Sequence, residues 1–281
     1  QDYDYKSRIE KSLKLLKLHG DKYLSISGLK EYGPKFLQIL KNLKNTDYQG
    51  LHLIYSQFRT LEGVGILSLV LEHNGFSQFK ISQKTGTWAL DMTADEMSKP
   101  AYGLYTGTES TEEREIIRNV FNGDWDKIPS TLATQLRERN NDNKLGEIIK
   151  ILMITSSGSE GITLKNTRYV HIVEPYWHPV RTDQVIGRAR RICSHKDLPP
   201  ELRTVDVFIY LMTFTQKQIM GDPNAERKED QQSQISQALK ISMGDRSKID
   251  KKLIFTSDQT LDEISNIKRT TNNSILKAIK E

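Results

Sequence analysis

Apolar residues along this chain follow two different rhythms. Over residues 5–18, Ile9, Leu13 and Leu16 recur at helical spacing between lysines, and Pro34 opens a second such stretch with Phe36, Leu37, Leu40 and Leu43. Two amphipathic helices are predicted there, within an N-terminal helical segment over 1–44. From residue 51 the rhythm changes to short continuous apolar runs, LHLIY, FKI, YGLYT, IKILMI, YVHIV and VDVFIYLM, separated by helical stretches near 60–73, 111–122 and 179–191. Strands apolar on both faces, alternating with helices, predict an α/β fold: a mainly parallel sheet with helices on both faces, spanning 45–220.

Two polar interruptions read as surface insertions: residues 82–100, with Gly86, Trp88 and Pro100, and 123–146, with Asn140, Asn141, Asp142 and Asn143. After Gly221, Asp222 and Pro223 a charged, Gln-rich stretch offers almost nothing to a core, so 221–234 is expected to be a flexible linker. Residues 235–281 return to helix, with Leu261, Ile264 and Ile267 and then Ile275, Leu276 and Ile279 as short apolar faces. No internal repeat is evident.

Composition narrows the class. The 281 residues are 36% hydrophobic and 27% charged, enough for one large or two modest cores. The longest apolar run, residues 64–71, is broken by Gly65 and Ser68 and is far shorter than the roughly 20 residues a spanning helix needs, so no membrane segment is predicted. The start has no initiator Met and no basic-then-apolar leader, which suggests an excised fragment. One cysteine, Cys193, excludes an internal disulfide and an all-cysteine metal cluster, and fits a reducing intracellular compartment. The net charge of +5 is unevenly placed. Residues 165–196 hold Lys165, Arg168, Arg181, Arg188, Arg190, Arg191 and Lys196 against only Glu174 and Asp183. Such a concentration suggests that phosphates are handled there.

The most informative segment is QVIGRARR, residues 184–191. On a helix beginning near Pro179, Gln184, Arg188 and Arg191 fall at i, i+4 and i+7, with Val185, Ala189 and Ile192 on an adjacent, core-facing stripe. Gly187, inside that helix, would admit a close backbone or phosphate. Two neighbouring guanidinium groups repel unless an anion or carboxylates neutralise them, and Asp183 is the sole acid nearby, so a polyphosphate ligand fits. In ILMITSSGSEGITL, a buried strand ends at Thr155 in a loop of small residues containing Gly158 and Gly161, at the edge where open parallel sheets bind ligands. Two further strands end in Ser56 and Gln57, and in Thr106 and Gly107.

The order IYSQF, YTGTES…EER…FN, MITSSGSEGITL and EPYWHPVRTDQVIGRARR resembles the second RecA-like lobe of superfamily-two helicases, including the signature Q-x-x-G-R-x-x-R, over roughly 45–215. The fuller run from VHIVEPYWHP to VDVFIYLMT is most similar to helicases of large nucleocytoplasmic DNA viruses, a group that includes the ATPase subunit of the poxvirus early transcription factor. WHP and EER also resemble the Swi/Snf remodelling ATPases. The resemblance implies a RecA-like fold and that Arg188 and Arg191 act as arginine fingers on ATP, with Gln184 and Gly161 also lining the nucleotide cleft. It implies nucleic-acid contacts by Thr155, with Ser156 beside it, and by Ser56, Gln57, Thr106 and Gly107. Thr163 stands where many relatives carry Asp or Asn, so the ribose contact of that position is not carried over.

The chain has no G-x-x-x-x-G-K motif followed by Ser or Thr, and neither DEMS nor DEIS follows an apolar strand as a metal-binding acid should. The phosphate-cradling Lys and the Mg²⁺ ligands are therefore expected in a preceding RecA-like lobe, and the fragment alone is expected not to hydrolyse ATP. Expected partners are that lobe, DNA or RNA, and a viral RNA polymerase, in the host cytoplasm, nucleus or virion of a DNA virus. Three readings stand: a viral helicase or translocase, a transcription-initiation ATPase using the same motor, and a non-catalytic nucleic-acid-binding module. For Arg188 and Arg191 taken alone, a solvated helix face is the simpler reading; the order of the four motifs reverses that. Trp177 is assigned to packing of its loop. Cys193, His195 and His178 lack the spacing of a metal site.

Overall fold

A computed structural model describes residues 5–61, 63–84, 86–156, 161–215, 218–219 and 255–280. The expected linker, 221–234, lies outside the described residues, as do residues 157–160 of the small-residue loop. The described chain runs through α1 (Tyr5–Leu18), α2 (Gly20–Tyr23), α3 (Ile26–Tyr32), α4 (Pro34–Lys44), β1 (Leu51–Ser56) and α5 (Val64–His73). It continues through β2 (Ser77–Gln78), β3 (Ile81–Lys84), β4 (Thr87–Leu90), α6 (Ala94–Ser98), β5 (Ala101–Tyr105), α7 (Thr111–Phe121) and α8 (Ser130–Arg137). Then follow β6 (Ile151–Thr155), β7 (Thr167–Ile172), α9 (Pro179–Ala189), β8 (Asp206–Ile209) and α10 (Ser257–Lys280).

Six strands form one sheet in the order β2-β5-β6-β1-β7-β8, with every neighbouring pair parallel. Parallel strands buried on both faces need apolar residues at odd and even positions alike, which is why LHLIY, ILMI and YVHI read as unbroken runs. Along β1, Leu51, Leu53 and Tyr55 enter one apolar layer and Ile54 the other. The first layer is completed by Ile117, Val120 and Phe121 of α7, Leu132 and Leu136 of α8, and Val185 and Ala189 of α9. The second is completed by Leu29 of α3, Leu37, Leu40 and Leu43 of α4, and Leu67, Val70 and Leu71 of α5. Each fully buried Leu or Ile contributes about 1.5–3 kcal/mol. Exposed ion pairs such as Lys99 with Asp95 and Arg137 with Asp126 contribute about 0–1 kcal/mol. Stability therefore resides in the two layers.

The described chain divides into two compact units, one of residues 1–173 and 183–210, the other of 174–182 and 211–281. In the second, the Lys268 ammonium of α10 lies 3.6 Å from the centre of the Trp177 ring. Thr256 donates to the Met212 carbonyl, and the Met212 N–H donates to Asp258. Ile275, Leu276 and Ile279 of α10 are exposed. No helix among the described residues is long and apolar enough to cross a membrane.

Several expectations need correction. The first helical segment holds α2 and α3 as well as the two amphipathic helices. Neither polar interruption is merely a surface insertion. Residues 82–100 supply the antiparallel hairpin β3–β4, whose Trp88 is buried and donates to Glu112 at 2.8 Å. Residues 123–146 supply α8 and the buried Trp125. Asn143 hides the reason: its Nδ2 donates to the carbonyls of Phe121 and Ile149, while its Oδ1 accepts from the N–H groups of Ile148 and Ile149. A residue that reads as loop is a buried staple between the end of α7 and the approach to β6. Ile192 is 98% exposed rather than in the core stripe, because α9 ends at Ala189 and the chain leaves helical register before Cys193, at φ +59°.

Beneath α4 runs a buried polar line. Asn42 Nδ2 donates to the Tyr210 hydroxyl at 2.8 Å. The same hydroxyl is hydrogen-bonded to His171 Nδ1 at 2.7 Å, and His171 Nε2 is hydrogen-bonded to His52 Nδ1 at 3.0 Å. Both imidazoles are fully buried and neutral. Burial holds His171 at about 3. Burial, then the neighbouring His171 and Lys150, holds His52 well below the ordinary histidine value.

Two outcomes follow for stability. Asn143→Ala orphans four buried backbone groups and should lower the unfolding free energy by about 2–4 kcal/mol in urea titration; a loss under about 1 kcal/mol would contradict the staple. Below about pH 6.5 the unfolded chain binds protons that the folded histidines refuse. Stability is thus full above that pH and declines toward pH 3, by up to about 1.4 kcal/mol per pH unit for each histidine. Urea midpoints that stay level between pH 7 and pH 5.5 would refute the neutral pair.

Candidate functional site

Because β5, β6 and β1 are adjacent and parallel, their carboxyl ends share one edge. Ser56 pairs in register with Thr155, and Tyr105 with Ile154, so Thr106 follows directly beside Thr155. The sequence-derived contacts Ser56, Thr106 and Thr155 are thereby brought into one row, joined where Thr155 Oγ1 donates to the Thr106 carbonyl at 2.9 Å. All three are buried. Ser56 Oγ closes the turn after β1, donating to the Phe58 carbonyl and accepting the Phe58 N–H. Only glycine fits at Gly63, where a Cβ would lie 2.0 Å from the Phe58 carbonyl oxygen and 2.3 Å from Ser56 Oγ. Gln57 and Ser156 continue from their strand ends, half-buried.

At the β5 end, one carboxylate gathers the donors. Glu109 accepts from the N–H of Thr106 at 2.8 Å, the N–H of Gly107 at 3.1 Å, and the hydroxyls of Thr106 and Thr108 at 3.0 Å. Gly107, at φ +98°, supplies the turn that lets successive N–H groups converge on an anion. Burial pushes the Glu109 carboxyl up, but the bonds from Thr106, from its own N–H and from Thr108 outweigh burial and hold it below the usual carboxylate value. Sequence reasoning missed Glu109. Its signal is an acid three residues past a strand-end Thr, just before the Ser110 cap of α7.

The basic helix borders the segment after Gly161, which sits exposed at φ +74°. The Leu164 N–H donates to the Arg188 carbonyl at 3.4 Å, and Arg191 Nη1 donates to Thr163 Oγ1 at 2.5 Å. Arg191 lies beyond the last residue of α9, so Gln184, Arg188 and Arg191 do not share one continuous helix face. Gln184 is exposed, and Arg188 is half-buried with its Nε enclosed and without a hydrogen-bond partner. Among the described residues neither Arg188 nor Arg191 forms an ion pair with a carboxylate. By contrast, Lys165 is bound to Asp124 at 2.6 Å. At Gly187 an added Cβ would meet nothing within 4 Å, so space is open beside the helix. His195 is engaged by Ser194 and the Thr167 carbonyl, and among the described residues no group of three or more His, Cys, Asp or Glu could hold a metal ion.

Comparison with known proteins gives the family. The helicase conserved C-terminal domain family matches residues 35–193, more than half of the chain. A protein of Acanthamoeba polyphaga mimivirus named as an ATP-dependent RNA helicase is 32% identical over 191 residues, covering 68% of this chain and 28% of that protein. A termination factor NPH-I homolog of African swine fever virus is 33% identical over 207 residues, covering 70% of this chain and again 28% of the relative. The chain thus spans little more than a quarter of these relatives' length. Among solved structures, the C-terminal part of the Fun30 ATPase domain aligns with a TM-score of 0.44 at 16% identity, covering 92% of this chain and 62% of that one. Because the family match runs over residues 35–193, which hold five of the six strands of the parallel sheet and its strand-end hydroxyls, the chain belongs to the helicase conserved C-terminal domain family.

Proposed function

We propose that this chain is the C-terminal motor lobe of a viral ATP-dependent helicase or translocase. The observation that carries the reading is a pair of guanidinium groups, Arg188 and Arg191, with no carboxylate paired to either among the described residues. Cations that have no carboxylate partner among the described residues fit an anion, and the γ-phosphate of ATP at an interlobe cleft would supply one. Gln184 and Gly161 border the same nucleotide. Closure of a preceding lobe on this one would bring the guanidinium groups to the transferring phosphoryl group, where they stabilise developing charge. Mg²⁺ would neutralise the phosphates when bound, held mainly by residues of the preceding lobe. Ser56, Gln57, Thr106, Gly107, Thr155 and Ser156 would touch the nucleic-acid backbone, a sequence-independent and salt-sensitive contact.

A transcription ATPase that works with a viral RNA polymerase is the second reading, favoured by the likeness to a termination factor homolog. Strand displacement measured beside ATPase stimulation by duplex and single-stranded DNA separates the two.

In the full-length polypeptide, Arg188→Ala should lower kcat for ATP by about 10³-fold or more, while nucleic-acid Kd stays within about twofold. Unchanged turnover would leave the binding-module reading standing instead. Glu109 already fills the donor cradle at Thr106 and Gly107, so a phosphate there must compete with it. Glu109→Gln removes that charge and should tighten DNA binding about fivefold at 0.1 M salt, read by fluorescence anisotropy. Weaker or unaltered binding means that Thr106 and Gly107 do not meet phosphate.

A further inference from the structure

The FN pair that closes α7 has no role in the function proposed above, yet its asparagine is fully engaged. Asn122 Nδ2 donates to the Thr163 carbonyl at 3.0 Å, and Asn122 Oδ1 accepts the Lys165 N–H at 2.9 Å. One side-chain amide thus grips both ends of residues 163–165. The grip is reinforced by the Lys165 ammonium on Asp124 at 2.6 Å and by burial of Ile162 and Leu164 on either side. Burial and these lysine bonds oppose each other at Asp124, and the bonds from Lys165 and Lys127 prevail, holding its carboxyl below the ordinary value. Between its two buried neighbours Thr163 is exposed, and its hydroxyl accepts from Arg191 Nη1 at 2.5 Å.

We propose that Asn122 and Thr163 are positioning residues for Arg191: the amide fixes the strand of backbone, and the hydroxyl fixes the guanidinium. This rests on the arginine-finger reading. Three physical points carry it. Arg191 lies past the end of α9, so the helix does not fix it and another restraint is required. A guanidinium carries five N–H donors in a rigid plane, so a single bond to Thr163 orients it while leaving the others for phosphate oxygens. The hydroxyl is neutral, so it holds the group without cancelling its charge, which a carboxylate partner would do. Threonine is also stiff at χ1, so the acceptor itself wanders little.

A positioning role acts on the transition state more than on ground-state binding. In the full-length ATPase, Thr163→Val should therefore lower kcat about fivefold to tenfold, with KM for ATP within about twofold; the loss of one exposed hydrogen bond sets that scale. Thr163→Ser should restore kcat to within about twofold of the parent, which a general packing defect would not allow. Asn122→Ala should lower kcat by a similar factor. The deciding measurement is a double-substitution cycle. Added to Arg191→Ala, Thr163→Val should have no further effect on kcat. If it lowers kcat as much in that background as alone, Thr163 does not act through Arg191 and the proposal is overturned. The same holds if Arg191→Ala lowers kcat while Thr163→Val does not. If Arg191→Ala itself leaves kcat unchanged, the arginine-finger reading fails, and this proposal with it. Thermal unfolding separates these results from loss of fold: Thr163→Val and Arg191→Ala, both at exposed residues, should stay within about 2 °C of the parent, while Asn122→Ala, which loses two hydrogen bonds, should fall by several degrees yet stay folded at the assay temperature.

Discussion

A parallel sheet buried on both faces leaves polar chemistry one place to go. Every position of β1, β6 and β7 is buried, so no side chain within those strands reaches solvent. What remains is the carboxyl edge, where the strands hand over to turns. In-register pairing then aligns the hydroxyls of Ser56, Thr155 and Thr106 at the inter-strand spacing of roughly 4.8 Å, a regularity that no loop by itself could hold. The two apolar layers make this edge stiff, and the chemistry of the family is grafted onto that stiffness.

Along that edge the charges are arranged in two opposite ways. At the end of β5 the converging N–H groups and hydroxyls already hold an anion, the Glu109 carboxylate, which stabilises the turn and opens α7. Beside Gly161 the partners found among the described residues are neutral: Arg191 rests on a hydroxyl, and Arg188 keeps an enclosed Nε without any. Lys165, two residues from Thr163, is neutralised by Asp124. On the function proposed above, this contrast, more than the number of basic residues, is what would separate a ligand-facing arginine from an ordinary surface one.

Much of the fold was legible because burial on both faces writes itself directly into the sequence. The run LHLIY falls within one residue of β1 and IKILMI starts two residues ahead of β6, while helices at 5–18, 34–44, 64–73 and 111–121 lie in the stretches read as helical, the third starting four residues late. FKI was harder to read, since Phe79 lies between β2, which joins the main sheet, and β3, which belongs to a hairpin. The polar interruptions were misread for a related reason. Asn143, Trp125 and Trp88 are buried through specific hydrogen bonds, and a hydropathy pattern registers polarity without registering whether it is satisfied. At the site, the residue types and the shared edge were legible from motifs, whereas Glu109 and Asn122 were not. Their roles depend on partners that adopt the right distance only after the chain has folded, 41 residues apart in the case of Asn122 and Thr163.

α7 stands between these two charge arrangements. Glu109 lies just before its first turn, and Asn122 caps its last. Eleven helical residues span about 16 Å, and with Ile117, Val120 and Phe121 locked into the core the helix can only move as a rod. A displacement of the Glu109 turn by nucleic acid would therefore reach residues 163–165 through a two-pronged amide grip rather than through a chain of loose contacts. The size of that coupling is bounded by the grip. Two neutral hydrogen bonds are worth about 1–3 kcal/mol together, so on the function proposed above this route could transmit at most about a hundredfold change in Arg191 placement.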